Sequence, residues 1–301
     1  MMGVRYVSDL LEGTLVKGVG GLYYARTQTG DIHVLRAKGI FRKKGTPPLV
    51  GDCIQFTPSV GEEHGWVESI LPRQNQLVRP AVANIAHIVM VIAPAPAPDF
   101  LLLDTLLVMA YQQNIAPVIV VNKCDLDSQL FHTVQHDYAS LHIPVLQTST
   151  VTGEGISDLQ TLLLKGIVCF AGQSGVGKST LLSASTGLVL ETGEISRKIQ
   201  RGRHTTRHAE LLVKDGYQVL DTPGFSLLSL WEGLNPVHLK NYYPDFFPYE
   251  GQCKFSPCYH KNEPQCAVLT ACAEGEISPN RLMRYHQLLD KAQEAWRKRY
   301  D

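Results

Sequence analysis

The chain has 301 residues, with 28 Lys+Arg against 28 Asp+Glu and so no formal net charge. Hydrophobic residues make up 44% and charged residues 19%, which excludes disorder over most of the length and allows two or three domains. No run reaches the ~18 uninterrupted apolar residues that a membrane span needs, and Asp9 and Glu12 stand where an export signal would be apolar, so neither a membrane partner nor secretion is expected. A neutral chain is not a globally basic nucleic-acid binder, although local basic patches remain open to it.

Residues 1–72 read as short strands punctuated by glycines: Val4–Val7, Gly13–Val19, Gly21–Arg26, Asp31–Ala37 and Asp52–Thr57. Short strands at this spacing predict a small β-barrel of the oligonucleotide-binding (OB) type. The segment Arg36–Lys44 is the most basic in the chain and holds one aromatic, Phe41. It reads as a loop that either tracks a phosphate backbone or is simply solvated. Residues 73–235 alternate strands and helices. His87–Ala93, Pro117–Val121, Pro144–Thr148 and Gly166–Ala171 are strand-like; Leu101–Gln112, Leu130–Leu141, Gly155–Leu164 and Lys178–Ser185 are helical. His208–Val213 and Gly216–Leu220 form a hairpin around Lys214-Asp215-Gly216. Repeated strand–helix units predict a doubly wound α/β sheet. Residues 236–301 open with aromatics, pass through a cysteine cluster and end in a helix. Ser278 is its expected N-cap and Pro279 its first residue; Leu282, Tyr285, Leu289, Ala292 and Trp296 recur as its packed stripe.

Three short segments carry chemistry. Gly172-Gln173-Ser174-Gly175-Val176-Gly177-Lys178-Ser179, followed by Thr180, fits the pattern G-x-x-x-x-G-K-S/T between a strand and a helix. The glycines let backbone N–H groups curl around phosphate oxygens, and the helix N-terminus adds positive potential. Lys178 would reach the β- and γ-phosphates and assist catalysis, while the Ser179 hydroxyl would ligate Mg2+. Asp221-Thr-Pro-Gly224 follows a strand; Asp221 would hold Mg2+ through water and the Gly224 N–H would meet the γ-phosphate. Asn122-Lys123-Cys124-Asp125 follows another. The Asp125 carboxylate would accept the N1 and N2 protons of guanine, a pair that adenine lacks. Asn122 would tie this loop to the phosphate cradle, the Lys123 stem would cover the base, and Thr148-Ser149-Thr150 could offer an N–H to guanine O6.

The order of these segments is unusual. Ordinary GTPases run cradle, D-x-x-G, N-K-x-D; here N-K-x-D and the Ser149 segment come first. Ligands on open α/β sheets bind beyond the carboxyl ends of strands, wherever the chain happens to begin. A circular permutation therefore preserves a GTP site.

Of seven cysteines, Cys53, Cys124 and Cys169 are isolated beside apolar residues and read as buried, reduced thiols. Cys253-x₄-Cys258-x-His260-x₅-Cys266 crowds three thiols and an imidazole together. Soft thiolates with imidazole select tetrahedral Zn2+, and four protein ligands make the site structural. Cys272 is spare, or substitutes for Cys266.

The permuted order, Gly172–Ser179, Arg201-Gly-Arg-His204-Thr205-Thr206, Asp221–Gly224, the Cys/His spacing and the linker from Leu71 to Asn84 together resemble the ribosome small subunit-dependent GTPase A (RsgA) family over nearly the whole chain. The resemblance implies an OB-type barrel (1–72), a circularly permuted P-loop GTPase domain (73–235) and a zinc-binding module with a C-terminal helix (236–301). It implies a cytoplasmic, monomeric GTPase whose partners are GTP/GDP, the small ribosomal subunit and its rRNA. That enzyme acts late in small-subunit maturation, with hydrolysis stimulated by the subunit. It also gives Arg201–Thr206 a switch role, with Thr205 or Thr206 closing over Mg2+ and the γ-phosphate. Many GTPases orient the attacking water with a Gln after D-x-x-G; here that residue is Phe225, so slow intrinsic turnover is expected, with His204 or the partner placing the water. RNA would be met by Arg36–Lys44 and by Arg297-Lys298-Arg299. Two rivals stand beside this reading: an RNA-binding assembly factor that senses GTP/GDP with negligible turnover, which Phe225 leaves open, and a permuted GTPase serving the large subunit or a tRNA-modifying enzyme.

Overall fold

The computed structural model describes residues 10–58, 63–77, 81–188, 209–221 and 234–298. The expected strand Val4–Val7 lies outside them. Two compact units emerge, one from residues 10–86, 163–169 and 209–221, the other from 87–162, 170–188 and 234–298.

The first unit begins with β1 (Leu11–Val19), β2 (Leu22–Arg26), β3 (Ile32–Ala37), the short helix α1 (Gly39–Lys43), β4 (Cys53–Thr57) and β5 (Gly65–Ile70). β1 pairs antiparallel with β2 and β4, β2 with β3 and β4 with β5; β3 and β5 pair in parallel and close the ring. The result is a five-stranded barrel of the OB arrangement. Leu15, Ala25, Leu35, Ile54, Phe56 and Val67 alternate inward from their strands and fill it, each fully buried. The β1–β2 turn is Gly20-Gly21, both at positive φ, +61° and +82°, as a two-residue hairpin turn requires. Two expectations change here. Arg36–Lys44 is not a free loop: it finishes β3 and winds into α1 because Phe41 turns in to pack on the barrel core. Cys53 is exposed, since it starts β4 on the outward phase of the alternation. β5 escaped prediction because Glu68 and Ser69 dilute its apolar alternation.

Beyond the barrel, β6 (Gln76–Leu77) and β7 (Val82–Ala83) form a small ribbon. Arg73 braces it. Its Nε and Nη2 donate to the two oxygens of the fully buried Asp52 at 2.7 and 2.8 Å, the fork-to-fork geometry of a strong ion pair.

The second unit is built on apolar strands. β8 (Ile85–Ile92), β9 (Ala116–Asn122) and β10 (Val145–Thr148) run parallel; β8 and β9 are near-continuous hydrophobic runs of the kind buried on both faces, whereas β10, at the sheet edge, is half-buried. α2 (Phe100–Gln112) links the first two. Asp99 caps it by accepting the Leu102 N–H at 2.8 Å, and Leu103 through Ala110 are all buried. α3 (Gln129–Asp137) is shorter than the expected Leu130–Leu141 helix. It stops at Tyr138, and a 3₁₀ turn, Ala139–Leu141, leads to His142 in the left-handed region. α4 (Ile156–Leu163), β11 (Ile167–Ala171) and α5 (Lys178–Thr186) follow. In the first unit β12 (Glu210–Lys214) and β13 (Tyr217–Asp221) form the expected hairpin. β13 pairs parallel with β11, and β12 pairs antiparallel with β1, Lys17 opposite Glu210 with an ion pair at 2.9 Å.

The C-terminal part has two 3₁₀ segments, Pro236–Tyr242 and Pro244–Tyr249, then α6 (Ala267–Ala273) and the 19-residue α7 (Pro279–Arg297). Leu282, Tyr285, Leu289 and Ala292 are buried as expected, and Trp296 is half-buried. Ser278 precedes α7 but makes no side-chain cap; its hydroxyl donates instead to Asp137 at 2.8 Å.

The same helix buries two arginines. Arg281 donates at 2.6 Å to Asp104 of α2 and at 2.6 Å to Asp245, and Arg284 donates to the other Asp104 oxygen at 2.7 Å. The Tyr138 hydroxyl adds a fourth contact at 2.7 Å, and the Arg281 guanidinium lies over the Tyr138 and Tyr243 rings. Removing one member of such a set strands charge away from water, at a cost of about 3–5 kcal/mol. Arg281→Met should therefore lower the unfolding free energy in urea by that amount. A loss under about 1 kcal/mol would show that the carboxylates find other partners.

Candidate functional site

β11 ends at Ala171, and the chain curls through Gly172–Gly177 before α5 starts at Lys178. Gly177 sits at φ +93°, and a Cβ there would stand 2.6 Å from Asn122 Nδ2, so both conformation and space demand glycine. The Lys178 amine lies across the loop and donates to the Gly172 and Gln173 carbonyls at 2.9 and 2.6 Å. Burial holds its pKa below the usual lysine value, and an anionic ligand beside it would favour the charged form. The Gln173 side-chain oxygen accepts the Asp99 N–H at 3.0 Å, anchoring the loop to the start of α2. Ser174, Val176, Ser179 and Thr180 complete the turn and the first residues of the helix, with Val176 fully buried.

The N-K-x-D segment closes onto this loop. Asn122, at the end of β9, is buried; its Nδ2 donates to the Val176 carbonyl at 2.9 Å and its Oδ1 accepts from Thr148 at 3.1 Å. Lys123, at φ +60°, sends its amine to the carbonyls of Gly175 and Ala95, at 2.7 and 2.6 Å. Ser149, after β10, donates its hydroxyl to Asp125 Oδ1 at 2.5 Å and accepts the Val151 and Thr152 N–H groups at 3.2 Å each. The Asp125 carboxylate is thus aimed by a serine that is itself held by backbone. The Ser149 N–H is already given to the Glu154 carbonyl at 3.0 Å, so an N–H for guanine O6 would come from its neighbour Thr150. Two hydrogen bonds, from Asn122 to Val176 and from Lys123 to Gly175, tie the N-K-x-D segment to the phosphate loop, and those donated by Thr148 and Ser149 tie it to the end of β10.

Asp221 ends β13. Its side chain, His204, Thr205, Thr206, Gly224 and Phe225 lie outside the described residues.

The Cys/His cluster assembles as its spacing suggested. The Sγ atoms of Cys253, Cys258 and Cys266 and Nδ1 of His260 lie within 4.8 Å of one another. Cys266 Sγ is 3.8 Å from both other sulfurs, and His260 Nδ1 is 3.6 and 3.3 Å from Cys253 and Cys266. Tetrahedral ligands at zinc–sulfur and zinc–nitrogen bond lengths stand about 3.8 Å (S to S) and about 3.6 Å (S to N) apart. The donor set therefore fits a metal ion of that size. Burial pushes the Cys258 thiol up to about 12 and the His260 imidazole down to about 4; a cation is what allows thiolates to persist in such surroundings. Cys272, on α6, is not one of the four.

Sequence reading missed what braces this loop. Glu263 accepts the N–H groups of Tyr259, Lys261 and Asn262 at 2.8, 2.8 and 3.1 Å. Burial raises its pKa, but these backbone donors outweigh burial and leave it below the usual value. His286 Nε2 and Tyr285 of α7 reach the carbonyls of His260 and Tyr259 at 2.8 and 3.0 Å.

A P-loop joined to an N-K-x-D loop that precedes it in the chain defines a circularly permuted GTPase. Residues 70–231 match the family described as RsgA GTPase and residues 12–67 match the RsgA N-terminal domain. Two relatives called small ribosomal subunit biogenesis GTPase RsgA are similar throughout. That of Ruminiclostridium cellulolyticum is 45% identical over 92% of this chain and 92% of its own, and that of Geobacillus thermodenitrificans is 44% identical over 92% and 95%. Among solved structures, YjeQ from Thermotoga maritima superposes with a TM-score of 0.80 at 33% identity, covering 94% of this chain and 99% of its own. YloQ, described as a circularly permuted GTPase, superposes with a TM-score of 0.78 at 29% identity, covering 97% and 98%. The chain belongs to the RsgA GTPase family, and its reaction is the hydrolysis of GTP to GDP and phosphate.

The metal set is open to test. Cys266→Ala should lose close to one equivalent of bound metal by elemental analysis, whereas Cys272→Ala should keep it. Equal losses in both would remove Cys266 from the set.

Proposed function

We propose that this GTPase grips guanine with Asp125, Asn122, Lys123 and Ser149 and holds the phosphates in the loop Gly172–Thr180. We propose further that its hydrolysis is driven by binding to the small ribosomal subunit and its rRNA. The observation that carries the reading is the hydrogen bond from Asn122 to Val176, which ties the N-K-x-D loop to the P-loop. The partner comes from the shared name of the relatives, small ribosomal subunit biogenesis GTPase. The enzyme would act as a monomer in the cytoplasm; among the described residues no helix is long and apolar enough to cross a membrane. Its functional division would be an RNA-facing barrel at 1–72, the GTPase domain at 73–235 and a zinc-stabilised module at 236–301.

In this mechanism water attacks the γ-phosphate in line with the departing β-phosphate oxygen. Lys178 leaves its carbonyl contacts for the β- and γ-phosphate oxygens, and the N–H groups of Gly175–Ser179 face the same charge, so the developing negative charge meets preorganised donors. Ser179 and Asp221 would hold Mg2+, which would supply positive charge beside the phosphates. Thr205 or Thr206 would close over the γ-phosphate with the Gly224 N–H. Phe225 has no hydrogen-bonding group with which to orient water, so His204, or the subunit, takes that role. At the C-terminal module, Zn2+ would be the ion for Cys253, Cys258, His260 and Cys266, since three thiolates and an imidazole suit it best.

Asp125→Asn should separate base recognition from phosphate binding. The amide presents a donor to the guanine amino group, so GTP affinity should fall at least tenfold. Xanthosine triphosphate, with a carbonyl in place of that amino group, should gain. Unchanged GTP affinity would remove Asp125 from the base site.

Multiple-turnover phosphate release tests the whole reading. Turnover should be slow alone and rise at least tenfold with saturating small subunits but not with large subunits, and His204→Ala should abolish most of the rise. Equal rates with either subunit would overturn the proposed partner, and fast turnover without subunits that survives His204→Ala would overturn the role given to His204.

A further inference from the structure

The basic stretch of the barrel holds Phe41, the aromatic that sequence alone offers for stacking on a nucleobase. The fold withdraws it, for Phe41 packs against the core. The barrel supplies a different ring at the same place. Parallel pairing of β3 with β5 sets Trp66 directly beside Arg36, and antiparallel pairing of β2 with β3 sets Leu22 on the other side of Arg36. The three residues form one row across neighbouring strands. Leu35, Val67 and Gly65, their neighbours in the chain, are buried inside, so the row faces out. Trp66 is 43% exposed and Arg36 is exposed.

Three strands at about 4.8 Å spacing make this row about 10 Å long, the scale of one base and its flanking phosphate. The Gly20-Gly21 turn borders it, and no heavy atom would stand within 4 Å of a Cβ on either glycine. The charge around the row is positive. α1 carries Arg42, Lys43 and Lys44 at its exposed C-terminal end, and among the described residues Arg36, Lys43 and Lys44 form no ion pair. The nearby Glu68 is neutralised by Lys38. A large exposed aromatic beside an uncompensated guanidinium is costly to leave on a sheet that has nothing to cover, and together they match a nucleotide: the ring stacks on the base and the cation meets the phosphate.

We infer that Trp66 and Arg36 form a stacking platform for one unpaired base of single-stranded RNA, with Arg42, Lys43 and Lys44 of α1 meeting the backbone beyond it. This deepens the reading that the chain meets RNA and rests on it for its biological partner. Trp66 acts through its flat face, so any aromatic can replace it. Arg36 acts through charge, so its contribution is screened by salt.

The test measures equilibrium binding of the full chain to purified small ribosomal subunits, with a non-hydrolysable GTP analogue, and separately to a short oligouridylate. Each is repeated over a range of salt for the wild type, Trp66→Phe, Trp66→Ala and Arg36→Ala. Trp66 points away from the barrel core, so its variants keep the fold. Trp66→Ala should weaken oligouridylate binding by roughly tenfold or more while leaving the slope of log affinity against log salt unchanged. Trp66→Phe should stay within about threefold of wild type, and Arg36→Ala should reduce the salt slope by about one. Oligouridylate should quench tryptophan fluorescence in the wild type and lose that effect in Trp66→Ala. Wild-type affinity for oligouridylate in Trp66→Ala overturns the platform, whatever the subunit does. Trp66-dependent oligouridylate binding without any binding of the wild type to subunits leaves the platform standing and overturns the proposed partner.

Discussion

The nucleotide site depends on one geometric constraint: the carboxyl ends of parallel strands lie along one edge, and loops that leave that edge meet one another whatever their order in the chain. β9 delivers Asn122, β10 delivers Ser149 and β11 delivers the phosphate loop. The buried amide of Asn122 then converts proximity into attachment, because its donor side is committed to Val176 and its acceptor side to Thr148. An amide that bridges two loops inside a protein, with both ends satisfied, fixes their separation far more tightly than surface contacts do. Moving the chain termini leaves every one of these bonds in place, which is why the permuted sequence order is compatible with an ordinary GTP pocket.

The chemistry was more legible in the sequence than the packing. Gly172–Ser179 and Asn122–Asp125 could be read because phosphate and guanine recognition demand particular residues at fixed spacing, and Cys253, Cys258, His260 and Cys266 could be read because metals demand particular atoms. Apolar runs such as Ile85–Ile92 announce buried strands. The charged interior did not announce itself. Asp104 lies in an otherwise apolar helix and Arg281 and Arg284 flank the apolar stripe of α7, and their partners stand 177 to 180 positions away in the chain, beyond the reach of any local pattern. An unexplained charge on an otherwise buried face was the available signal. Local features misled in the same way: Ser278 had the composition of a helix cap, yet its hydroxyl is drawn off by Asp137, and Phe41 had the setting of an exposed aromatic, yet the barrel needed it inside. In each case a long-range partner outbid a local preference.

The metal loop and the buried arginines share one helix. α7 uses Arg281 and Arg284 to bind Asp104, and uses Tyr285 and His286, next along the chain, to hold the carbonyls of Tyr259 and His260. Four consecutive-turn residues on one rod therefore address two polar clusters. The segment between the 3₁₀ turns and α6 contains little apolar material of its own, and its order comes from the donor set, from Glu263 and from this helix.

β1 is nine residues long, and the barrel pairs it along its whole length, Leu11–Thr14 with β4 and Thr14–Val19 with β2. Near its end its outer side also pairs with β12, Lys17 facing Glu210 of the hairpin whose other strand runs to Asp221. One strand of backbone is thus shared by the barrel and by the β12–β13 hairpin. Any tilt of the barrel strands therefore acts on that hairpin through main-chain hydrogen bonds, with no side chain as go-between.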